Sequence, residues 1–413
     1  MKMKKFLAAV SSLVMLGAFT ACGSSSDDSS TNSNNNSNNS NNSNNAEATT
    51  KADTDSDAGA DNSSSAGGKK VGIAMPTKSL ERWNRDGEYL KAQFEAEGYT
   101  VELKYSDNDT DQQNNDIQSM IADNVDLLLI AAIDGSTLSQ TLADAKDAGI
   151  AVIAYDRLIM NTDAVSYYVS FDNYTVGKLQ GEYVIDALDL KNNDGPFNIE
   201  FTAGDPADNN AGYFFNGAYD AVKEYIDAGK LKIPSGKKKF EQVATEQWST
   251  DKALENMQNT LASYYSDGTQ LDVALCSNDS TALGVAQAIT SDYNGKNSPI
   301  VTGQDGDIAN LKNIVDGKQS MTVYKNVSDE ASVTLEVSKA ILSGQTPDAS
   351  LISSLDAEAT YDTSSYDNGV KVVPSYFLVP YVITKDNLDL LVETDLYQWD
   401  SANKYLESTA STT

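Results

Sequence analysis

Histidine is absent from this chain of 413 residues. Without it neither a Ser-His-Asp nor a Cys-His catalytic arrangement can form, and the commonest metal ligand in proteins is missing. Cysteine is scarce as well, since Cys22 and Cys276 are the only two. Cys276 lies in the apolar run at 271–276, where we expect a buried and unreactive thiol. The absence of histidine therefore excludes these catalytic arrangements, and no nucleophile–base pair is evident that would predict enzymatic activity.

Basic residues are also few, because 30 Lys and Arg stand against 60 Asp and Glu, for a net charge of −30. A surface of this charge repels nucleic acid and anionic lipid. A glycine-rich phosphate loop is missing, since the segment Gly303-Gln-Asp-Gly306 lacks the lysine and the spacing of one. We therefore expect no nucleic-acid partner and no cofactor.

The acidic segment at 107–116 resembles a calcium-binding loop at its first, third and fifth positions. Gln112 stands where such a loop needs glycine, and Gln118 stands where it needs glutamate. We interpret the segment as a polar turn in which Thr110 or Asp111 caps the next helix, and we predict no metal site.

The N-terminus carries a basic segment followed by the apolar run Phe6 to Phe19. This run is too short to span a bilayer, so it predicts a cleaved signal peptide over residues 1–22. The small residues before Cys22 resemble a bacterial lipobox, in which the cysteine is lipidated, although Phe19 replaces the usual aliphatic residue. We expect lipidation at Cys22.

Residues 23–68 are almost wholly Ser, Asn, Asp, Thr, Ala and Gly. The segment has no aromatic residue and no large aliphatic one, so it cannot bury enough apolar surface to become ordered. We predict a disordered tether that holds a globular head near a membrane surface. The competing interpretation is an aggregation-prone segment rich in Asn and Ser.

From Lys69 onward, short apolar runs alternate with amphipathic helical patterns. This alternation is typical of α/β proteins with parallel sheets, and it forms two series separated near Asn173. We predict two doubly wound lobes. Strands are predicted at 71–75, 100–105, 125–131, 150–155, 197–203, 240–244, 271–276 and 299–303, and helices at 83–97, 111–123, 136–148, 174–189, 211–228, 250–264 and 280–291.

Polar and aromatic side chains follow these strands. Asp156 and Arg157 come directly after the apolar run at 149–154, and isolated buried charges need partners. Open α/β sheets bind ligands at the carboxyl ends of their strands. The other candidates at strand ends are Arg82, Trp83, Asp208, Asn210, Trp248, Asn278, Asp279, Asp305 and Lys325. Carboxylates, amides and guanidinium groups combined with aromatic rings suit a ring of hydroxyl groups, so we predict a sugar site.

Each candidate also has a purely structural interpretation. Arg82 and Asp156 could form a structural ion pair, and Trp83 and Trp248 could belong to the core. Helix capping would explain Asp208, Asn210, Asn278 and Asp279. Recurrence favours a binding site, because the structural interpretation has to be invoked separately at every strand end.

A series of motifs then identifies a family resemblance. They are Met75-Pro-Thr-Lys78, Leu80-Glu-Arg-Trp83, Ala131-Ala-Ile-Asp-Gly135, Ala154-Tyr-Asp-Arg157, Phe171-Asp-Asn173, Asp208-Asn-Asn210, Ser277-Asn-Asp279, Gly303-Gln-Asp305, Met321-Thr-Val-Tyr-Lys325 and Gly369-Val-Lys-Val-Val-Pro-Ser-Tyr376. From about Lys70 to about Asp400 the chain resembles the periplasmic sugar-binding proteins of ABC importers, in the xylose-binding and multiple-monosaccharide-binding branch. The resemblance implies the type I periplasmic binding protein fold, with a three-segment hinge. The implied lobes are 70–173 plus 326–372, the N-terminal lobe, and 174–325 plus 373–413, the C-terminal lobe.

The resemblance also implies a ligand, a site and a location. The implied sugar contacts are Arg82, Trp83, Asp156, Arg157, Asp208, Asn210, Trp248, Asn278, Asp305 and Lys325, with Lys78 and Asp134 in support. The implied ligand is an aldose such as xylose, glucose or galactose, which the closing lobes of a monomeric head deliver to the membrane permease of an ABC importer. Presentation to a membrane sensor kinase or chemoreceptor is the alternative. A lipid anchor would hold the protein on the outer face of the cytoplasmic membrane.

An extracellular glycosidase and a sugar-responsive repressor are the other classes to weigh. A glycosidase needs paired carboxylates at a cleft, whereas these strand ends mix carboxylates with Arg, Lys and Asn. A repressor needs a basic helix-turn-helix before its lobes, whereas a signal peptide and an acidic tether stand in that place here. The sequence therefore favours a binding protein.

Overall fold

The computed structural model describes residues 68–355 and 357–409. Its strands are β1 (Lys70–Met75), β2 (Thr100–Tyr105), β3 (Leu127–Ile130), β4 (Ala151–Tyr155), β5 (Val165–Phe171), β6 (Phe197–Thr202), β7 (Leu231–Lys232), β8 (Val273–Cys276), β9 (Ile300–Val301), β10 (Met321–Tyr324), β11 (Ala359–Asp362), β12 (Ser375–Leu378), β13 (Tyr381–Thr384), β14 (Tyr397–Trp399) and β15 (Leu406–Ser408). Its α-helices are α1 (Glu81–Ala96), α2 (Thr110–Ala122), α3 (Ser139–Asp147), α4 (Asn173–Ala187), α5 (Asn209–Asp227), α6 (Phe240–Val243), α7 (Thr250–Tyr264), α8 (Asp279–Asp292), α9 (Ile308–Asp316), α10 (Val327–Leu342) and α11 (Asp389–Val392). Short 3₁₀ turns cover Glu246–Trp248 and Leu351–Ser354.

The first sheet has seven strands in the order β11-β12-β5-β4-β3-β1-β2. All neighbours run parallel except β11, which is antiparallel to β12. Every residue of β3 is buried, because helices cover both faces of the sheet. Leu127 and Leu129 pack in the cluster that contains α1 and α10 side chains, whereas Leu128 and Ile130 pack with those of α2 and α3.

The second sheet is smaller, with four parallel strands in the order β7-β6-β8-β9. Helices α4 and α5 pack against one face and helices α7 and α8 against the other. A bridge between Gln304 and Val323 continues the line of β9 to β10, and β10 pairs antiparallel with β13. The predicted architecture of two doubly wound α/β lobes is thus confirmed.

The chain passes between the two sheets at three places: after β5, after β10 and after β12. The first two lie next to Asn173 and Lys325, the boundaries that the resemblance implies. The third differs from the expected boundary at 373, because β12 pairs with β5 in the first sheet. Tyr376 and Phe377 are buried in two different clusters of that sheet, so the change of sheet falls between Leu378 and Tyr381.

Two local expectations are corrected. The predicted strand at 240–244 is instead the short helix α6, since the Gln242 side chain accepts hydrogen bonds from the backbone N–H groups of Lys238 and Lys239, both at 3.0 Å, and caps the turn. The cap of α2 is Asp109 rather than Thr110 or Asp111. Its carboxylate accepts from two backbone N–H groups of the first turn.

The expectations for the N-terminus fall on residues that the structure does not describe. The signal peptide at 1–22, the lipidation of Cys22 and nearly all of the tether at 23–68 lie outside the described ranges. Among the residues from 68 to 409 that the structure describes, no helix is both long and apolar enough to cross a membrane.

Candidate functional site

A narrow cavity lies where the carboxyl ends of strands from both sheets meet. It contains about 370 Å³ of space free of protein atoms, its mouth included. Open α/β sheets bind their ligands at this position. The lining residues are Leu80, Arg82, Trp83, Asp156, Arg157, Asp208, Phe214, Trp248, Asn278, Ser280, Gln304, Asp305 and Lys325.

Arg82, in the first turn of α1, is the centre of the charge network. Its Nη2 lies 2.7 Å from Asp156 Oδ1 and 3.0 Å from Glu330 Oε2. Its Nη1 lies 3.2 Å from Asp305 Oδ1, and its Nε lies 3.1 Å from Asp86 Oδ2. The suspected ion pair between Arg82 and Asp156 is therefore present, as one contact of a larger network that lines the cavity.

Lys325 supplies the second cation at the hinge between β10 and α10. Its Nζ lies 3.3 Å from Asp156 Oδ1 and 3.2 Å from Asp305 Oδ1. Burial raises the pKa of Asp305 to about 6, although Arg82 acts in the opposite direction. Burial also raises the pKa of Glu330, and the nearby Asp156 adds to that shift. The cavity thus places shared carboxylate acceptors beside two cationic donors.

Asp156 is held in an unusual backbone conformation directly after β4. Its φ is 57°, in the left-handed region that non-glycine residues seldom occupy. Its carbonyl oxygen accepts three hydrogen bonds: from Tyr168 Oη at 2.9 Å, Ser170 Oγ at 2.8 Å and Asn210 Nδ2 at 2.7 Å. Asp305 also has a positive φ, at 105°. Strain of this kind is typical of functional sites, where it fixes the direction of a side chain.

Asp208 connects the second lobe to Arg157. It caps α5, since its Oδ1 accepts from the Asn210 N–H at 2.9 Å. Its Oδ2 accepts from Trp248 Nε1 at 3.2 Å. The same oxygen lies 3.0 Å from Arg157 Nε, as an ion pair whose angle does not suit a hydrogen bond. Burial raises the pKa of Asp208, and Arg157 opposes the shift. Capping and lining the cavity are compatible roles.

The Trp248 indole packs directly against Gly204, in the space that a side chain at this position would fill. A Cβ atom on Gly204 would lie only 1.9 Å from Trp248 Cη2, so glycine is required there. Trp248 itself has a φ of 53°, which is rare for a bulky residue. Phe214 contacts Trp248 edge to face with ring centroids 6.1 Å apart. These two rings provide an apolar wall in the second lobe.

Trp83 is in contact with two guanidinium groups rather than with another aromatic ring. The guanidinium carbon of Arg157 lies 4.9 Å from the centre of its ring, and that of Arg82 lies 5.2 Å away. Such cation–π contacts hold both guanidinium groups in place beside the cavity.

Asn278 supplies a polar group from the second lobe. It caps α8, where its Oδ1 accepts from the Thr281 N–H at 2.9 Å. Its Nδ2 makes no hydrogen bond to any part of the chain that the structure describes. The amide therefore has a donor available to a ligand.

The structure brings most of the expected residues together. Nine of the ten proposed sugar contacts line the cavity, and Asn210 lies behind it against the Asp156 carbonyl. Lys78 and Asp134, proposed as supporting residues, do not line it. Lys78 is exposed beside the Tyr105 ring, and Asp134 caps a turn at Ser136. Asp279 does not line the cavity. Its carboxylate accepts hydrogen bonds from the Asp307 N–H, the Gln319 amide and the Thr322 hydroxyl.

Sequence reasoning missed several residues of the site. Phe214 lies one helical turn after Asn210, so helical spacing could have indicated it. Gln304 lies inside a motif already quoted, between Gly303 and Asp305. No local signal marks Glu330, which reaches Arg82 across 248 positions of the chain. Leu80, Ser280 and Asp86 were also not singled out.

The chain matches the family model described as "Periplasmic binding protein domain" over residues 71–346. It is 43% identical over 334 residues to the multiple sugar-binding periplasmic receptor ChvE of Rhizobium radiobacter, covering 80% of this chain and 91% of that one. It is 33% identical over 333 residues to the D-xylose-binding periplasmic protein of Escherichia coli, covering 80% and 92%. A crystal structure of an ABC transporter solute-binding protein from Clostridium phytofermentans, with bound β-D-glucose, is 49% identical. Its TM-score is 0.76, and the match covers 81% of this chain and 99% of that chain.

The fold and the cavity define a two-lobed ligand-binding protein. The chain belongs to the periplasmic binding protein family, within its sugar-binding receptors. This is a family of binding proteins and not of enzymes, so the resemblance and the non-enzymatic class that the sequence predicts are confirmed.

Proposed function

We propose that this protein captures an aldose in its pyranose form between its two lobes and delivers it to the membrane permease of an ABC importer. The observation that carries the proposal is the composition of the cavity wall. Carboxylates, cations and an amide donor alternate there with aromatic rings around a single cavity. A sugar needs this combination, because each hydroxyl both donates and accepts while the ring faces are weakly apolar.

The polar residues divide into acceptors and donors for the sugar hydroxyls. Asp156 and Asp305 accept, while Lys325, Arg157 and Asn278 donate. Because the carboxylates and cations are buried, their hydrogen bonds to the ligand are charge-assisted and stronger than neutral ones. The Trp248 and Phe214 rings face the C–H groups of the sugar, and Trp83 fixes the two guanidinium groups.

Domain closure follows from the division of the wall between the lobes. Arg82, Asp156 and Arg157 come from the first lobe, whereas Asp208 and Asp305 come from the second. A sugar that contacts both sets stabilises the closed form over the open one. The permease then recognises the closed shape, and no covalent step is needed.

The relatives support an aldose with some tolerance of its configuration. The 49% identical solute-binding protein was crystallised with β-D-glucose, and the 43% identical receptor is named for binding multiple sugars. Xylose, glucose and galactose differ by one hydroxymethyl group or one epimeric hydroxyl. We therefore propose glucose as the first ligand to test, with xylose and galactose next.

The proposed location is the outer face of the cytoplasmic membrane. It rests on the sequence of residues 1–68, with a signal peptide, lipidation at Cys22 and a polar tether before a monomeric head. Mass spectrometry of the membrane-extracted protein tests this part, because a diacylglyceryl group on Cys22 adds a defined mass. An N-terminus that begins at any other residue contradicts it.

Calorimetric titration of the purified protein against glucose, galactose, xylose, arabinose and ribose tests the sugar proposal. We expect binding of at least one sugar with micromolar or tighter affinity. Asp305→Ala should weaken binding at least about 100-fold, since it removes a charged acceptor and leaves Arg82 and Lys325 without it. Asp147→Ala, at an exposed position on α3, is the matched control and should bind like the wild type. Failure of all five sugars contradicts the proposal.

A further inference from the structure

Helix α9 of the second lobe receives its N-terminal cap from the first lobe. Asp307 occupies the N-cap position, but its side chain makes no capping hydrogen bond. Instead, the carboxylate of Glu81 accepts from the Ile308 N–H, with Oε1 at 3.0 Å and Oε2 at 3.2 Å. A carboxylate is favourable at this end of a helix, where unpaired N–H groups carry partial positive charge. This cap therefore depends on how the two lobes meet.

Arg85, one helical turn after Glu81, makes a second contact of the same kind. Its Nη2 donates to the backbone carbonyl of Asp305 at 2.8 Å. Its guanidinium lies 3.8 Å from the Glu81 carboxylate and 3.9 Å from that of Asp307, and it covers the Tyr397 ring at 5.7 Å. The cation thus separates two carboxylates that would otherwise repel each other across the interface.

Burial raises the pKa of Asp307, and the nearby Glu81 carboxylate raises it further, whereas the Arg85 guanidinium lowers it. The charged groups that face Glu81 from the packed elements are therefore Arg85 on its own helix and Asp307 at the start of α9. Arg85 offsets the repulsion between the Glu81 and Asp307 carboxylates, so Glu81 and Arg85 are both needed for the contact.

Neither Glu81 nor Arg85 lines the cavity. We propose that these two side chains, with the Ile308 N–H and the Asp305 carbonyl, form an interlobe latch that stabilises the closed form without touching the sugar. This inference rests on the proposed function, because it assigns the latch a role in sugar affinity. Glu81 and Arg85 are positioning residues: they act on the lobes and not on the ligand.

The latch affects the affinity for every sugar by the same factor. When only the closed form holds the ligand tightly, the apparent dissociation constant is the intrinsic one divided by the closed fraction. Loss of a helix cap changes an equilibrium by about fivefold, so loss of the Glu81–Ile308 cap should raise Kd by about that factor. Residues that contact the sugar differ in this respect, since their substitution alters the ranking of the sugars.

Two substitutions remove the Glu81–Ile308 contact of the latch from opposite lobes. Glu81→Ala removes the acceptor. Ile308→Pro removes the N–H, and proline suits the first position of a helix. The preceding Asp307 has φ −66° and ψ 140°, a conformation that residues before proline favour. Glu88→Ala is the control, because Glu88 is exposed on the same helix and has no hydrogen bond or ion pair within the described part of the chain.

Calorimetry on the purified protein with each sugar that the wild type binds gives the decisive comparison. Each single variant should raise Kd about fivefold, and the factor should be the same for all of the sugars. The double variant should bind no more weakly than either single variant, because both substitutions remove the same Glu81–Ile308 contact. Glu88→Ala should match the wild type. Values of Kd within twofold of the wild type, additive losses in the double variant, or factors that differ between sugars overturn the latch.

The same variants separate the latch from the proposed function. If the wild type binds none of the sugars, the proposed function fails, and the latch is then judged on the ligand-free protein by small-angle X-ray scattering. A larger radius of gyration in Glu81→Ala and Ile308→Pro than in the wild type and Glu88→Ala supports the latch. Equal radii overturn it.

Discussion

The two lobes face the cavity with different chemistry. The first contributes two guanidinium groups, Arg82 and Arg157, beside the single carboxylate Asp156 and the single aromatic ring Trp83. The second contributes carboxylates, an amide and aromatic rings: Asp208, Asp305, Asn278, Phe214 and Trp248. The two sides pair across the cleft, with Arg82 at 3.2 Å from Asp305 and Arg157 at 3.0 Å from Asp208. Each lobe therefore holds charges that the other neutralises, and the donors and acceptors are oriented before a ligand contacts them.

The largest effect is expected on the first-lobe side of this comparison. Arg82→Met leaves Asp86 and Glu330 buried without their cation and Asp156 with Lys325 alone, which should lower the free energy of unfolding by about 3–5 kcal/mol and abolish sugar binding. Scanning calorimetry measures the first effect and titration the second. Lys91→Met, on the outer side of α1, should change stability by less than about 0.5 kcal/mol. An unchanged unfolding temperature in Arg82→Met would show that the carboxylates are already neutral.

A smaller effect is expected from the aromatic wall of the second lobe. Gly204→Ala places a methyl group where the Trp248 ring lies and should displace the indole. We expect affinity for glucose to fall about tenfold while the charged groups of the first lobe stay in place. Gly212→Ala is the control, because a Cβ atom there meets nothing within 4 Å. Equal affinities of the two variants, measured by calorimetry, would mean that the ring does not contact the sugar.

The smallest effect is a pH dependence that originates at Asp305. Its pKa of about 6 exceeds the ordinary value of 3.8, so protonation becomes substantial below pH 6. A sugar hydroxyl that donates to this carboxylate favours the ionised form, so affinity should fall several-fold, by less than about tenfold per pH unit, from pH 7 to pH 5. The contribution to stability has the opposite sign: it is present below about pH 4 and is lost as the pH rises through 6, because the folded state binds the proton more tightly.

Titrations and unfolding curves at pH 5, 6 and 7 measure both effects. Asp305→Asn should remove most of each dependence, since the amide does not titrate in this range. A wild-type affinity that stays constant between pH 5 and pH 7 contradicts the assignment of Asp305 as an acceptor.

Most of the fold and much of the site could be predicted because their signals are local. Apolar runs followed by polar residues mark strand ends, and parallel topology brings those ends together; Asp156 and Asp305 were found in this way. The strand predicted at 240–244 is wrong because Phe240 and Val243 suit a strand as well as a helix. The Gln242 side chain caps a helical turn there instead.

The parts that could not be predicted depend on contacts between distant segments. Glu330 is one more acid on an amphipathic helix until the structure places its carboxylate beside Arg82. Glu81 and Ile308 are 227 positions apart, and neither has a neighbour that indicates the pairing. The sequence also could not predict which sheet β12 joins. The strand lies between β5 and β11, and its own sequence fits either sheet.

The position of β12 and β13 has a consequence for the order of folding. The first sheet lacks two of its seven strands until residue 378 has been made, and β10 lacks its partner until residue 384. Neither lobe can complete its core from an N-terminal fragment, although domains commonly fold as the chain emerges. The finished structure therefore forms only late in synthesis. This delay suits a protein for which we propose a signal peptide and a location outside the cytoplasmic membrane.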